Sequence, residues 1–309
     1  MSRSTRAAVG MMALACALAV SATAAQRFST AVDGVAVDVL VTRDGRPVKG
    51  LTAADFRLRD NGVPQQIDSM MIEDAPITVF VVLDVSDSVK GALFTSLTSA
   101  VRSAARALRR DDRVGLMTFS DCVRMILAPP ADPALLSSRL DALEAGGATT
   151  LYDATFAAVA LRPQLPGRAL VLVFSDGNDT VSALDPRRVL DAARRSDIVV
   201  HAVTRRRSFE YPNGEDAVTR RVERDRFAAE PELFGRLFLS QLTEETGGSL
   251  FVTDRRGLQE AFGRVIDEFR SRYLLTYSPK GVAASGFHSI EITLNGHRGE
   301  VRARRGYLR

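Results

Sequence analysis

The sequence predicts an α/β fold: a doubly wound, mostly parallel sheet with helices on both faces, and a small β-unit formed by strands that flank it on the N- and C-terminal sides. Continuous apolar runs such as Ile77–Leu83 and Ala169–Phe174 are typical of parallel strands that are buried on both faces. Segments with helical periodicity alternate with these runs, which favours parallel strands joined by helices. Short strands after Arg272 have no helix among them, so they cannot belong to the parallel sheet and are expected to pair with strands from residues 35–74.

The first predicted helix follows the run Ile77–Leu83 and starts at about Ser88. Its apolar residues recur every three or four positions from Leu93 to Leu108, as they do on the buried face of an amphipathic helix. Asp111 and Asp112 follow the last of them and are expected to end the helix.

Two later helices have a clear start signal. Asp132-Pro133 and Asp185-Pro186 each place an N-capping carboxylate before a proline at the first helical position. The other strands are predicted at Val114–Phe119, Val123–Leu127, Ile198–Val203 and Leu250–Val252, and the other helices at Leu151–Leu161, Glu232–Thr246 and Leu258–Phe269. Residues 205–230 are charged and aperiodic, which predicts a long exposed loop.

The two flanks of the chain are expected to share one β-unit. Apolar side chains alternate from Val35 to Val41, which predicts a half-buried strand, and Asn61-Gly62 predicts a tight turn between two further strands. The expected organisation is a signal peptide at residues 1–25, an N-terminal β segment at 26–75, the sheet domain at 76–271, and a C-terminal β segment at 272–309 that pairs with the N-terminal one.

The N-terminus has the features of a secretory signal. Arg3 and Arg6 precede an apolar run over residues 7–19, and small residues follow up to Ala25, as signal peptidase requires. We expect cleavage after Ala24 or Ala25 and a secreted, periplasmic or envelope protein without a membrane span. A retained anchor is one alternative, but the run is shorter than the roughly 20 residues that a span needs. Lipidation at Cys16 is the other, which the preceding Ala-Leu-Ala disfavours.

Charge and cysteine content exclude several classes of protein. The formal net charge of +4 falls to +2 when Arg3 and Arg6 leave with the signal, which is too small to indicate nucleic acid as a partner. The basic runs at 205–207 and 302–305 are interpreted as solvated surface. Cys122 is then the only thiol, so an intramolecular disulfide is excluded. A buried, inert Cys122 is expected, with a free, dimer-forming thiol as the alternative; the oligomeric state is left open.

Three oxygen-rich segments follow or join predicted strands and carry the candidate chemistry. Asp84-x-Ser86-x-Ser88 follows the first apolar run, Thr149 and Thr150 lie in a Gly-Gly loop, and Ser175-Asp176-Gly177 follows a later strand. Ligands of open parallel sheets bind at the carboxyl ends of the strands. Carboxylates and hydroxyls are the oxygen ligands that Mg²⁺, Mn²⁺ or Ca²⁺ takes. Two carboxylates would leave such a cation near neutrality and attractive to a further anionic oxygen.

These three segments, in this order, resemble the metal ion-dependent adhesion site of von Willebrand factor type A domains. The resemblance covers about Ile77 to Phe269 and implies a Rossmann-like fold with a metal held by Asp84, Ser86, Ser88, Thr149 and Asp176. Thr149 is chosen over Thr150 from its distance to the Leu151-Tyr152-Asp153 sequence. The flanks resemble an acidobacterial group of related proteins, through residues 37–56, Arg272–Tyr277 and Val301–Tyr307.

The resemblance implies a binding module, which uses the metal to bind an Asp or Glu of a protein partner, and no enzymatic activity. The alternative is a metal-dependent hydrolase that activates water; it would need a general base, for which Asp87 and Asp179 are the only nearby candidates. Both are interpreted as solvated loop residues, as is Asn178. For Asp84 and Asp176 the structural alternative is capping of the helices that follow. His201 is interpreted as a core histidine, and no His or Cys pair has zinc spacing.

Overall fold

The computed structural model describes residues 34–72, 76–205 and 235–309. The predicted signal peptide and nearly all of the predicted loop at 205–230 lie outside these ranges. Within them, no helix combines the length and apolar character that a membrane crossing requires.

Five short strands of the described residues precede the central domain, and apolar side chains from three of them, among them Val37, Leu58 and Met70, pack in one core. The longest is β1, in which Val37, Val39 and Val41 are fully buried. Asn61 and Gly62 both have positive φ angles, 47° and 78°, which confirms the two-residue turn predicted between β3 and β4. The strands are β1 (Val35–Arg43), β2 (Arg46–Pro47), β3 (Phe56–Asp60), β4 (Val63–Gln65) and β5 (Ser69–Ile72).

The central sheet has six strands in the order β11-β10-β9-β6-β7-β8. All neighbours are parallel except β7 and β8, which are antiparallel. Every residue of β6 and β9 is buried, as continuous apolar runs predict for central parallel strands. The doubly wound α/β fold is therefore confirmed. The strands are β6 (Ile77–Asp84), β7 (Arg113–Phe119), β8 (Val123–Ala131), β9 (Arg168–Phe174), β10 (Val199–Arg205) and β11 (Leu250–Thr253).

Helices cover both faces of this sheet. Helices α1 and α6 pack with Val79 and Val81 on one face, whereas α3, α4 and α5 pack with Phe80 and Val82 on the other. The described helices are α1 (Ala92–Arg106), α2 (Leu136–Asp141), α3 (Leu151–Ala160), α4 (Pro186–Arg195), α5 (235–246) and α6 (Leu258–Arg270).

Four strands after α6 combine with the N-terminal strands into two further sheets. One has the order β14-β1-β12-β5, with β2 also paired to β1, and the other has the order β15-β13-β3-β4. Val37 lies opposite Leu275 and Leu58 lies opposite Ile292, so each sheet contains strands from both flanks. The strands are β12 (Tyr273–Tyr277), β13 (Phe287–Leu294), β14 (Glu300–Arg302) and β15 (Gly306–Leu308).

A buried polar network joins these two sheets. The Asp60 carboxylate accepts hydrogen bonds from the hydroxyls of Tyr277 and Tyr307, both at 2.9 Å, and its other oxygen lies 2.8 Å from Nδ1 of His288. Burial raises the pKa of Tyr307 to about 12, so its hydroxyl stays protonated and can donate. A buried carboxylate with three partners is a satisfied group whose removal leaves several polar atoms without one.

Arginines connect the flanking sheets to the central domain, and one of them corrects a prediction. Arg168 of β9 forms an ion pair with Asp38 of β1. Arg304 was expected to be solvated, yet it is 8% exposed. Its guanidinium donates to the carbonyl oxygens of Gly306 and Arg194 at 2.7 and 2.9 Å. These bonds replace the water that an arginine otherwise requires.

Three local expectations also differ from the structure. Helix α1 begins at Ala92 rather than Ser88, because residues 87–89 form a 3₁₀ turn. Strand β8 continues beyond Leu127 to Ala131. Cys122 is exposed rather than buried, because it lies in the turn between β7 and β8, where Nε of Arg124 donates to its sulfur at 3.3 Å. His201 is fully buried, as predicted.

Candidate functional site

Strand order brings two of the predicted segments to one place. Strand β6 lies between β7 and β9. The chain continues from β6 to β7 on one side of it and later forms β9 on its other side. A crevice opens at such a point outside the carboxyl ends of the strands. Asp84 is the last residue of β6, and Ser175 and Asp176 directly follow the last residue of β9.

Asp84 is fixed by hydrogen bonds from both strands. Its Oδ1 accepts from the backbone N–H of Ser86 at 2.9 Å, and its Oδ2 accepts from the hydroxyl of Ser175 at 2.9 Å. The side chain is fully buried. Sequence reasoning did not assign a role to Ser175, although it lies within the Ser-Asp-Gly segment that drew attention to Asp176.

The loop after β6 places two hydroxyls beside this carboxylate. Oγ of Ser86 and Oγ of Ser88 are 3.0 Å apart. The 3₁₀ turn over Asp87–Val89 turns Asp87 outward, where it is exposed and forms an ion pair with Lys90. Alternate residues of the loop therefore face the site and the solvent, and Asp87 is a solvated loop residue, as predicted.

The Gly-Gly loop is attached directly to the loop after β6. The N–H of Gly146 donates to the carbonyl of Val85 at 2.6 Å, and the N–H of Asp87 donates to the carbonyl of Gly147 at 2.9 Å. Gly147 has a φ of +90°, and a Cβ there would lie 2.2 Å from an oxygen of Asp121. Position 147 therefore requires glycine, because any other residue would have a strained backbone and a Cβ too close to Asp121. Asp121 was not singled out from the sequence; it accepts from the N–H of Ala148 at 2.7 Å.

The two threonines of that loop differ in what their hydroxyls do. The hydroxyl of Thr150 donates to the carbonyl of Ser120 at 3.0 Å. The hydroxyl of Thr149 has no hydrogen-bond partner among the described residues, whereas its backbone N–H donates to Oγ1 of Thr180 at 2.8 Å. Both residues are buried. Thr149 is therefore the threonine whose oxygen is available.

Asp176 completes the set on the β9 side. It is 4% exposed, and its Oδ1 accepts from the backbone N–H of Asn178 at 3.2 Å. Neither Asp176 nor Asp84 caps a helix, because the N-cap of α1 is Gly91 and the N-cap of α4 is Asp185. The capping alternative for both carboxylates is therefore wrong.

The electrostatics of the site favour a bound cation. Burial is the main cause that raises the pKa of Asp84 to about 7, and the charge of Asp176 raises it to a smaller extent. Hydrogen bonds from Ser86 and Ser175 act in the opposite direction and lower it. No arginine or lysine forms an ion pair with either carboxylate in the described part of the chain. Two buried carboxylates without a cationic partner are costly, and an ion with a preference for oxygen ligands would remove that cost.

The donor set fits a hard divalent cation and not a softer site. It would consist of two carboxylates and three hydroxyls. No group of three or more His, Cys, Asp or Glu side chains able to hold a metal occurs in residues 34–72, 76–205 and 235–309. A metal bound here would therefore depend on hydroxyl oxygens in addition to the two carboxylates. Oxygen ligands of this kind suit Mg²⁺ or Mn²⁺, whereas zinc sites are commonly built from nitrogen and sulfur ligands.

Comparison with known proteins finds similarities to the central domain. The family model described as the von Willebrand factor type A domain matches residues 79–178. A von Willebrand factor type A structure from Catenulispora acidiphila superposes with a TM-score of 0.51 at 11% identity, covering 87% of this chain and 74% of that one. Proximal thread matrix protein 1 of the mussel byssus, with a zinc-occupied metal ion-dependent adhesion site, gives 0.50 at 12% identity, covering 67% and 48%. A comparison with curated proteins finds no match.

Proposed function

We propose that this protein is an interaction module that binds one divalent cation and uses it to bind an acidic group on a protein partner; the match of residues 79–178 to the model of the von Willebrand factor type A domain supports this proposal. The proposed ligands are Asp84, Ser86, Ser88, Thr149 and Asp176. The observation that carries the proposal is the pair of buried carboxylates, at the crevice between β6 and β9, that have no cationic partner in the described chain.

A bound cation would supply a positive charge that a carboxylate of the partner can coordinate. The residues of this chain hold the two carboxylates and the hydroxyls in place, through the Ser175 bond to Asp84 and the Gly147 bond to Asp87. Because these bonds already fix the loops, little ordering is needed when a partner binds, which favours affinity. We propose Mg²⁺ as the ion, with Mn²⁺ and Ca²⁺ as alternatives; Zn²⁺ belongs in the test because the mussel protein carries it.

The geometry supports binding over hydrolysis. A hydrolase would need a carboxylate free to act as a base. Asp87 is exposed and paired with Lys90, and Oδ1 of Asp179 accepts from the hydroxyl of Ser182 at 2.5 Å. Assay of a phosphoester and peptide panel with Mn²⁺ tests the alternative: turnover that is lost in Asp84→Asn would replace binding with catalysis as the function.

Calorimetric titration with each metal tests the site itself. We expect one site in the wild-type protein and no measurable binding in Asp84→Asn or Asp176→Asn. The matched control is Asp87→Asn, which makes the same change three residues after the last residue of β6, at a side chain that faces solvent, and should bind like wild type. Undiminished binding by Asp84→Asn would contradict the assignment.

A peptide array tests the partner chemistry. Each peptide containing Asp or Glu is paired with its Asn or Gln counterpart and probed with Mg²⁺ or with EDTA. We expect binding that needs both the acidic residue and the metal. Binding that persists in EDTA would mean that the partner docks elsewhere.

Export remains part of the proposal, because the N-terminal residues carry the features of a cleaved signal. N-terminal sequencing of the mature protein should start after Ala24 or Ala25. A mature chain that begins at residue 1 or 2 would contradict export by this route.

A further inference from the structure

The loop at residues 177–184, which directly follows Asp176, is bonded to the backbone of Thr149. The N–H of Thr149 donates to Oγ1 of Thr180 at 2.8 Å. The carbonyl of Thr149 accepts from the N–H of Thr180 at 2.9 Å and from the hydroxyl of Thr180 at 3.4 Å. The N–H of Val181 donates to the same carbonyl at 3.2 Å. The peptide groups of one proposed ligand are therefore held by the loop that follows another.

The same loop also caps the start of α3. The N-cap of α3, Thr150, makes no capping hydrogen bond with its own side chain. The N–H of Tyr152, in the first turn, donates instead to Oδ1 of Asp179 at 3.2 Å and to Oγ of Ser182 at 3.1 Å. Side chains from a distant segment thus satisfy a donor at the helix N-terminus, where the negative charge of Asp179 is also favourable.

Asp153 fixes the far end of this loop. Its Oδ2 accepts from the N–H of Ala183 at 3.0 Å, and its Oδ1 accepts from the N–H of Leu184 at 2.9 Å. Hydrogen bonds therefore join the loop to the Thr149 segment along most of its length. A shift of Thr149 relative to Asp176 would break several of these bonds, so the distance between the two proposed ligands is fixed.

Thr180 differs from the other residues of the loop because its side chain bonds to the ligand residue itself. Its hydroxyl accepts from one peptide group of Thr149 and donates to the other. The hydroxyl of Thr149 has no hydrogen-bond partner among the residues that the structure describes. The orientation of that free hydroxyl therefore depends on a neighbour that is exposed to solvent and is not itself a proposed ligand.

A fixed distance between ligands affects which ion is bound. Mg²⁺ demands near-ideal octahedral geometry with ligands at about 2.0–2.1 Å, whereas Ca²⁺ accepts flexible arrangements at about 2.3–2.6 Å. Loosening one ligand should therefore weaken the binding of Mg²⁺ more than the binding of Ca²⁺.

We propose that Thr180 is a positioning residue of the candidate metal site, which holds the hydroxyl of Thr149 toward the ion and thereby favours Mg²⁺ over Ca²⁺. This inference rests on the proposed function, because it requires that a cation binds between Asp84 and Asp176. Thr180 acts through the peptide groups of Thr149 and does not touch the ion.

Calorimetric titration with Mg²⁺ and with Ca²⁺ tests this role in Thr180→Val and Thr180→Ser. Loss of a group that orients a metal ligand costs about 10- to 100-fold in affinity, and we expect a loss in that range for Mg²⁺ in Thr180→Val, with a smaller loss for Ca²⁺. Thr180→Ser keeps the hydroxyl and should retain the wild-type affinity for Mg²⁺. The matched control is Thr293→Val, at an exposed position of β13, which should bind both ions like wild type. Circular dichroism should be unchanged in every variant, because both side chains are exposed.

A double mutant shows whether Thr180 acts through Thr149. In the Thr149→Val background, Thr180→Val should cause no further loss of Mg²⁺ affinity, because the hydroxyl that it positions is already absent. Additive losses, or equal losses for the two ions, would overturn the proposal. Wild-type Mg²⁺ affinity in Thr180→Val, in a protein that loses Mg²⁺ on Asp84→Asn, would overturn this inference and leave the proposed function intact. A wild-type protein that binds no cation would overturn both.

Discussion

The hydroxyl of Ser175 donates a hydrogen bond to Oδ2 of Asp84 at 2.9 Å, and this bond joins the carboxyl ends of the two strands between which the candidate site lies. The other oxygen, Oδ1 of Asp84, accepts from the backbone N–H of Ser86 at 2.9 Å. The orientation of a proposed metal ligand is therefore set by a neighbouring residue that is not itself a proposed ligand.

Ser175→Ala should weaken metal binding without unfolding the protein. Loss of the residue that orients a ligand costs about 10- to 100-fold in metal affinity, and we expect a value in that range for Mn²⁺ by calorimetry. Ser138→Ala, at an exposed position of α2, is the control for the same change of side chain. An unchanged Mn²⁺ affinity in Ser175→Ala would show that the bond does not position Asp84.

Thr149→Val and Thr150→Val should differ in their effects. The first removes a hydroxyl that has no partner within the described residues, so we expect weaker Mn²⁺ binding with little change in stability. The second removes the hydrogen bond to Ser120 and should cost about 1 kcal/mol of stability with little change in Mn²⁺ affinity. Calorimetry and thermal unfolding of both variants measure the two effects, and the reverse pattern would transfer the ligand role to Thr150.

His201 should make the stability depend on pH. Burial is the largest cause that lowers its pKa well below 6.5, followed by the charges of Arg272 and Arg302. Neither ring nitrogen has a hydrogen-bond partner in the described chain. The unfolded state therefore takes up a proton below about pH 6.5 and the folded state does not, so the stability is present above that pH and falls by up to about 1.4 kcal/mol per pH unit below it.

Denaturant unfolding of His201→Leu at several pH values measures this contribution. Between pH 6.5 and the lower pKa of His201 in the folded state, the free energy of unfolding of His201→Leu should change less steeply with pH than that of wild type. The difference in slope should correspond to about one proton taken up on unfolding. His297→Gln, at an exposed histidine, is the control. Equal slopes in wild type and His201→Leu would mean that His201 protonates in the folded state.

Deletion of residues 272–309 should expose the N-terminal flank. The deletion removes β12 and β14, which pair with β1, and β13, which pairs with β3. Limited proteolysis should then cut within residues 35–72, which the full chain protects. Continued protection of that segment after the deletion would contradict a shared β-unit.

The central domain could be predicted from sequence because its signals are local. Six of the eight buried positions in β6 are apolar, and they lie within the run Ile77–Leu83. The N-caps Asp132 and Asp185 each accept from the N–H two residues on, so a dipeptide was enough to locate them.

Features that depend on contacts between distant residues could not be predicted. Arg304 can be buried because the carbonyl of Arg194, 110 positions away, accepts a hydrogen bond from it. The residues next to Arg304 in the sequence do not indicate this contact. The same holds for Asp60, whose partners Tyr277 and Tyr307 are 217 and 247 positions away. Burial of Cys122 was predicted from the general tendency of free cysteines to be buried, and it is wrong because the turn at 120–122 leaves the side chain exposed.

The pairing of both flanks in the same sheets has a consequence for the order of folding. Contacts between residues more than 200 positions apart raise the contact order, and such contacts form late. The central sheet can close as soon as its own strands are synthesised, but β1 stays with its apolar side uncovered until β12 and β14 follow. Tyr307 can reach Asp60 only after the 247 positions that separate them have been synthesised. A chain that stops before β12 therefore carries an unpaired, apolar N-terminal strand, which is a feature that proteases and chaperones recognise.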